Sequence, residues 1–187
     1  ADAVVGAERE VLRVLDEMRP EIARRYADRQ ALAFASELMR SVEVRGAEHY
    51  GVRSALRGGA WCRRLAVQLG LRESDVRNAE LSGVLVDIGM HVHMGHVLTS
   101  TEPLSPEDQA LVREHPKLGA EFVGDIPLLA GVRDVIMGHH ERWDGAGYPL
   151  RKAQDDIPGI ARIVAVAGTF EAVVRGRLYR EPQGVLT

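Results

Sequence analysis

The apolar residues of this chain recur every three or four positions, and that spacing restricts most of it to helices. Val11, Leu15, Met18 and Ile22, and then Leu38, Met39 and Val42, share a face only when the backbone turns once every 3.6 residues. No run of alternating apolar and polar residues is long enough for a sheet, so the expected fold is all-α. Pro20 lacks a backbone donor and is expected to end or kink the first of two N-terminal helices between Val4 and Val42. A helix from Ser54 to about Leu69 follows, with Gly70 as its stop. Another is expected to begin at a capping Ser74 and run through Ala79, Leu81 and Val84 towards Asp87. Gly89 and Gly95 bracket a stretch expected to be irregular. Ser105-Pro106-Glu107-Asp108 has the cap, first-turn proline and following acid of a helix start, and that helix is expected to carry His115. Val132 to His140, a glycine-rich loop from Asp144 to Pro149, and an apolar helix from Ile157 to Val174 complete the reading.

With 187 residues, 45% of them hydrophobic and 27% charged, the chain can bury one core without staples. The formal charge of -3 argues against a broad nucleic-acid-binding face. Cys62 is the single cysteine and lies in a helical pattern, so buried packing is expected for it. With no internal disulfide, no signal-like run and no membrane-length apolar segment, a cytoplasmic setting is expected. The chain opens on Ala1, as an excised piece of a longer protein would. Residues 1–45 read as an N-terminal helical segment, either ordinary packing helices or a linker that dimerises, and 46–187 as the domain proper.

His115, the pair His139-His140, and Asp87 fall on separate expected helices beside apolar stretches. Three imidazoles and a carboxylate suit Zn²⁺, Fe²⁺ or Mn²⁺, yet residue types alone leave metal binding and hydrogen-bonded packing both open. The segment around the pair separates them. His139-His140-Glu141-Arg142-Trp143-Asp144-Gly145-Ala146-Gly147-Tyr148-Pro149 resembles the signature of the HD-GYP family, phosphodiesterases that open cyclic di-GMP at a cluster of two or three metals. Val86-Asp87-Ile88-Gly89, Leu104-Ser105 with His115-Pro116, and Ile157-Pro158 with Ala161-Arg162-Ile163 agree in order and spacing. The resemblance runs from about Ser54 to Arg180 and implies an HD-domain-like helical bundle carrying an additional N-terminal segment. The family's last helices are largely missing, so the domain is expected to be truncated at its C-terminus.

The departures cluster. Ser54 stands where the family places its first histidine ligand, Val86 replaces the histidine of its His-Asp pair, Met90 its substrate-facing lysine and Gly168 its late aspartate. Ser100 stands at a second lysine position. Carried over residue by residue, the private ligands of one metal are gone, while Asp87, His115, His139 and His140 retain the set for the other. The resemblance therefore implies a mononuclear site and a catalytically inactive regulatory or binding module, the alternative being a weak phosphodiesterase with Asp87 as its essential carboxylate. Tyr148, Arg177, Tyr179 and Arg180 resemble positions around the nucleotide, which makes cyclic di-GMP a candidate ligand, with a signalling protein or a second copy as other partners. His91, His93 and His96 are expected at the surface, with His91 and His93 on one side of an extended segment. Asp144 is expected to brace its loop, with Trp143 packing beside it.

Overall fold

The computed structural model describes residues 20–42, 51–100, 102–124 and 126–175. Among the described residues all regular structure is helical: α1 (Pro20–Ser41), α2 (Val52–Gln68), α3 (Glu73–Leu85), α4 (Ile88–His93), α5 (Gly95–Thr99), α6 (Pro106–Val112), α7 (His115–Val123), α8 (Arg133–Gly138) and α9 (Gly159–Arg175), with two short 3₁₀ turns. The all-α expectation holds. None of these helices is long and apolar enough to cross a membrane.

The α2–α3 pair forms the spine. Gly58, Gly59 and Gly83 let the two backbones touch: a Cβ on Gly83 would lie 2.9 Å from the Gly58 carbonyl oxygen and 2.7 Å from Cys62 Sγ. Gly70, at φ 69°, reverses the chain between them, as its position after Leu69 predicts. Cys62 is buried, and burial pushes its thiol up to about 12, which leaves it an inert packing group. On one side of the spine, α9 packs Ala161, Ile163, Val164 and Ala167 against Cys62, Ala66, Val76 and Ala79. On the other, Ala31, Ala35 and Met39 of α1 join Leu81, Leu85 and Ile88, together with Ala120 and Val123 of α7 and Ile136 of α8. Each fully buried leucine or isoleucine there contributes about 2–3 kcal/mol relative to leaving it in water. This second cluster fixes α7 and α8 side by side.

Local chemistry moved several boundaries. Pro20 is the first residue of α1, a position where its missing N–H has no helical partner to lose. The helix expected before it, and the boundary near residue 45, lie outside the described residues. The third helix starts at Glu73 rather than at a capping Ser74, and its N-cap Arg72 makes no side-chain cap. The stretch between Gly89 and Gly95 is two short helices rather than irregular chain, because Met90, Met94, Val97 and Leu98 bury a face of their own. Ser105 caps as expected, its Oγ accepting from the Asp108 N–H at 3.0 Å. That helix stops at Val112, so His115 opens a new helix instead of riding on the old one. The final helix begins at Gly159, two residues beyond Ile157, which is buried in the turn ahead of it.

Candidate metal centre

The break between α6 and α7 builds the first half of the site. Pro116 has no N–H, so the Val112 carbonyl four residues back lacks its helical donor. The His115 ring fills that vacancy: Nδ1 lies 2.6 Å from the Val112 oxygen. His139 repeats the device at the end of α8, where its Nδ1 sits 2.6 Å from the Ile136 carbonyl oxygen. Donation by both Nδ1–H groups fixes the tautomer and turns both Nε2 lone pairs inward.

Those two Nε2 atoms are 3.1 Å apart, and one nitrogen from each of His115, His139 and His140 falls within 4.8 Å of the others. Facing lone pairs repel unless a proton or a cation lies between them. Two imidazole nitrogens bound tetrahedrally to one Zn²⁺ at ~2.0–2.1 Å stand about 3.3 Å apart, so the donor set fits a divalent transition metal. Asp87 reaches the same cluster, with Oδ1 3.6 Å from His115 Nε2. It occupies the N-cap position of α4 without capping it, so its carboxylate faces the histidines rather than the helix start.

Gly89 sets this approach. A Cβ there would overlap the His115 carbonyl oxygen and lie 2.7 Å from the Gly119 nitrogen. Only a glycine lets α4 lie against α7 closely enough to bring Asp87, two residues earlier, to His115. His115 and His139 are buried, whereas the Asp87 carboxylate is about a third exposed. The cluster is thus solid on its protein side and open at Asp87.

Burial holds the His139 imidazole well below the ordinary histidine value of 6.5, and neighbouring His140 and His115 add to the effect. Below 6.5 the unfolded chain accepts a proton that the folded one refuses. The metal-free protein is therefore expected to lose stability as pH falls through 6.5, and His139→Leu should flatten that dependence. Thermal melts from roughly pH 8 to pH 5 read this directly.

The substituted positions have other surroundings. Val86 packs against the Cys62 cluster, Met90 is buried with Met94 and Val97, and Ser54 is half-buried in the first turn of α2. Gly168 is exposed on α9, with no atom within 4 Å of where its Cβ would stand. None is a nitrogen or carboxylate donor. Ser100 closes α5 beside Glu102, with which it shares a turn.

Tyr148 stacks on His140 at 4.7 Å and 18°, which ties the glycine-rich loop to the cluster. Arg177, Tyr179 and Arg180 lie outside the described residues. Asp144 braces the loop as expected: it takes Arg142 on both oxygens at 3.0 and 2.6 Å and accepts the Ala146 N–H, and these partners hold it at about 2. Trp143 is largely exposed, with the Arg162 guanidinium over its ring. The expectation of three surface histidines in an extended segment fails for His91, which is buried within α4. His93 and His96 are exposed, and His96 Nε2 meets Asp108 at 3.1 Å. Sequence reasoning missed Glu141, a buried carboxylate whose Oε1 accepts the Leu150 N–H at 2.6 Å and so latches the loop's far end. It also missed Arg113, whose guanidinium lies over the Tyr148 ring.

An all-helical bundle with a buried histidine cluster beside an aspartate is the architecture of a metal-binding HD domain, and family comparison agrees. A family model described as an HD domain matches residues 24–185, and the chain belongs to that family. It is 34% identical over 151 residues to a cyclic di-GMP phosphodiesterase of Pseudomonas aeruginosa, covering 80% of this chain and 36% of that protein. It is 36% identical over 125 residues to a cyclic di-GMP phosphodiesterase response regulator of Xanthomonas campestris, covering 63% and 32%. A 3'3'-cGAMP-specific phosphodiesterase of Vibrio cholerae is 33% identical over 124 residues, covering 65% and 24%. The chain thus spans about a quarter to a third of these relatives' length.

Proposed function

We propose that this domain is a regulatory or ligand-binding module of bacterial cyclic di-GMP signalling that holds one divalent transition metal, Fe, Mn or Zn, and does not turn the nucleotide over. Asp87, His115, His139 and His140 hold the metal. Tyr148, with Arg177, Tyr179 and Arg180, contacts the nucleotide. The observation that carries the reading is the lopsided donor set. Three imidazoles converge within 4.8 Å beside Asp87, while Ser54, Val86, Met90 and Gly168 leave the neighbouring ground without a good ligand or a cation.

A bound divalent cation supplies Lewis-acid polarisation of a phosphoryl oxygen. The rest of the task falls on protein groups. Phosphodiester cleavage adds negative charge around phosphorus, and stabilising that charge is the largest catalytic contribution. Valine, methionine and glycine carry no charge to offset it. Each lost donor costs about 10²-fold or more in rate, so the missing groups together bring turnover close to background.

The intact cluster favours a second reading, a weak metal-dependent phosphodiesterase. Incubating the protein with Mn²⁺ or Fe²⁺ and either cyclic di-GMP or 3'3'-cGAMP decides between them. Both nucleotides are expected to remain intact. Robust formation of linear dinucleotide or mononucleotide, abolished in His115→Ala, would establish the second reading and overturn the first.

A further inference from the structure

Beside Tyr148, a cavity of about 370 Å³ is lined by Arg113, Tyr148, Arg151 and the loop residues Gly145, Ala146 and Gly147. We propose that Arg113 and Arg151 make this cavity a nucleotide-phosphate subsite, one ring away from the histidine cluster. The proposal takes its ligand class, a nucleotide, from the function proposed above, and adds a place and two residues to it.

The charges point there first. Arg113 lies 4.9 Å from the centroid of Tyr148, and Tyr148 stacks in turn on His140. A guanidinium seated on a ring keeps its N–H edge available to an anion. Arg142 and Arg162, which flank the same loop, are each committed to an aspartate, Asp144 and Asp155. Among the described residues Arg113 and Arg151 have no such carboxylate, so two positive charges face one cavity without internal compensation.

The backbone gives an independent reason. Arg151 adopts φ 53°, a left-handed conformation that is unfavourable for a residue with a Cβ. The turn itself would run better on glycine, as it does at Gly145 with φ 74°. Gln154 shares the conformation at φ 51°, but of the two only Arg151 lines the cavity, which puts the strained residue where a ligand would meet it.

Cavity size narrows the chemistry. Small-molecule sites run from ~300 to 1,000 Å³, so this one accepts a phosphate with its attached sugar rather than a bare ion. Two guanidinium forks suit phosphate oxygens. The Tyr148 ring is already engaged by Arg113 and His140, so recognition rests on the phosphate and not on stacking a base against that tyrosine.

Calorimetric titration of the full chain with GMP, guanosine and inorganic phosphate tests the proposal. GMP is expected to bind saturably, inorganic phosphate more weakly and guanosine not at all. Arg113→Gln and Arg151→Gly should each weaken GMP about tenfold, the loss of one charge-assisted contact. Arg151→Gly relieves the left-handed strain, so its Tm should equal or exceed the parent's, which separates lost binding from lost folding. Absent GMP binding, equal affinity for bare phosphate, or affinity indifferent to both substitutions overturns the proposal. Cyclic di-GMP titrated in parallel keeps the two readings apart. A parent that ignores cyclic di-GMP sinks the proposed ligand, whereas GMP affinity independent of both arginines sinks the subsite alone.

Discussion

His115→Ala is expected to lower affinity for a divalent transition metal by more than about 100-fold, since even partners one step removed from a metal carry 10- to 100-fold. The imidazole sits at the centre of the cluster: its Nε2 is 3.1 Å from that of His139 and 3.6 Å from the Asp87 carboxylate, and its Nδ1 is tied to Val112. Removing it leaves two histidines and an aspartate, one imidazole fewer to close around the ion. Competition against a chromophoric chelator measures the loss. The same variant should show no rise in Tm on adding metal, because a ligand stabilises only the state that binds it. The parent should lose that increment when treated with a chelator. Undiminished affinity in His115→Ala would place the metal elsewhere.

Gly89→Ala is expected to cost about 3 kcal/mol, the upper end for overpacking, and to lower Tm by about 6–12 °C. The added methyl would overlap the His115 carbonyl oxygen and crowd the Gly119 nitrogen. Both are backbone atoms inside a helix contact, so neither can swing aside as a flexible side chain would. Relief requires α4 to move off α7, which draws Asp87 away from the histidines. Metal affinity should therefore fall along with stability. Gly168→Ala provides the contrast on α9, where a Cβ meets nothing within 4 Å. There alanine should stabilise the helix by about 0.5–1 kcal/mol. Equal effects of the two substitutions would show that the α4–α7 contact is looser than described.

What the sequence revealed and what it concealed divide along physical lines. Helices such as α2 and α9 were legible because each repeats its apolar residues over four or more turns, and Ser105 was legible because capping is a local event. The Asp87 and histidine set was readable as residue types, and family resemblance supplied the grouping that spacing alone left open. Short helices were not legible: α4 and α5 hold six and five residues, too few to display a period, and their buried face became a histidine stretch taken for surface. The stop at Val112 was masked by good helix formers on both sides, and Pro116 reads equally well as a first-turn proline or as a kink. Nothing local marks Glu141 as buried, since its acceptor role depends on the loop folding back to Leu150 nine residues later. Arg113 and Arg151 stand far apart in sequence and meet only across the cavity that the loop creates.

The proposed site holds a single cation where a pair would otherwise sit. Saturating the purified chain with Mn²⁺ or Fe²⁺, desalting it and counting metal by mass spectrometry tests that most directly. One equivalent per chain is the predicted result, lost when His115 is replaced; two retained equivalents, or none, would contradict it.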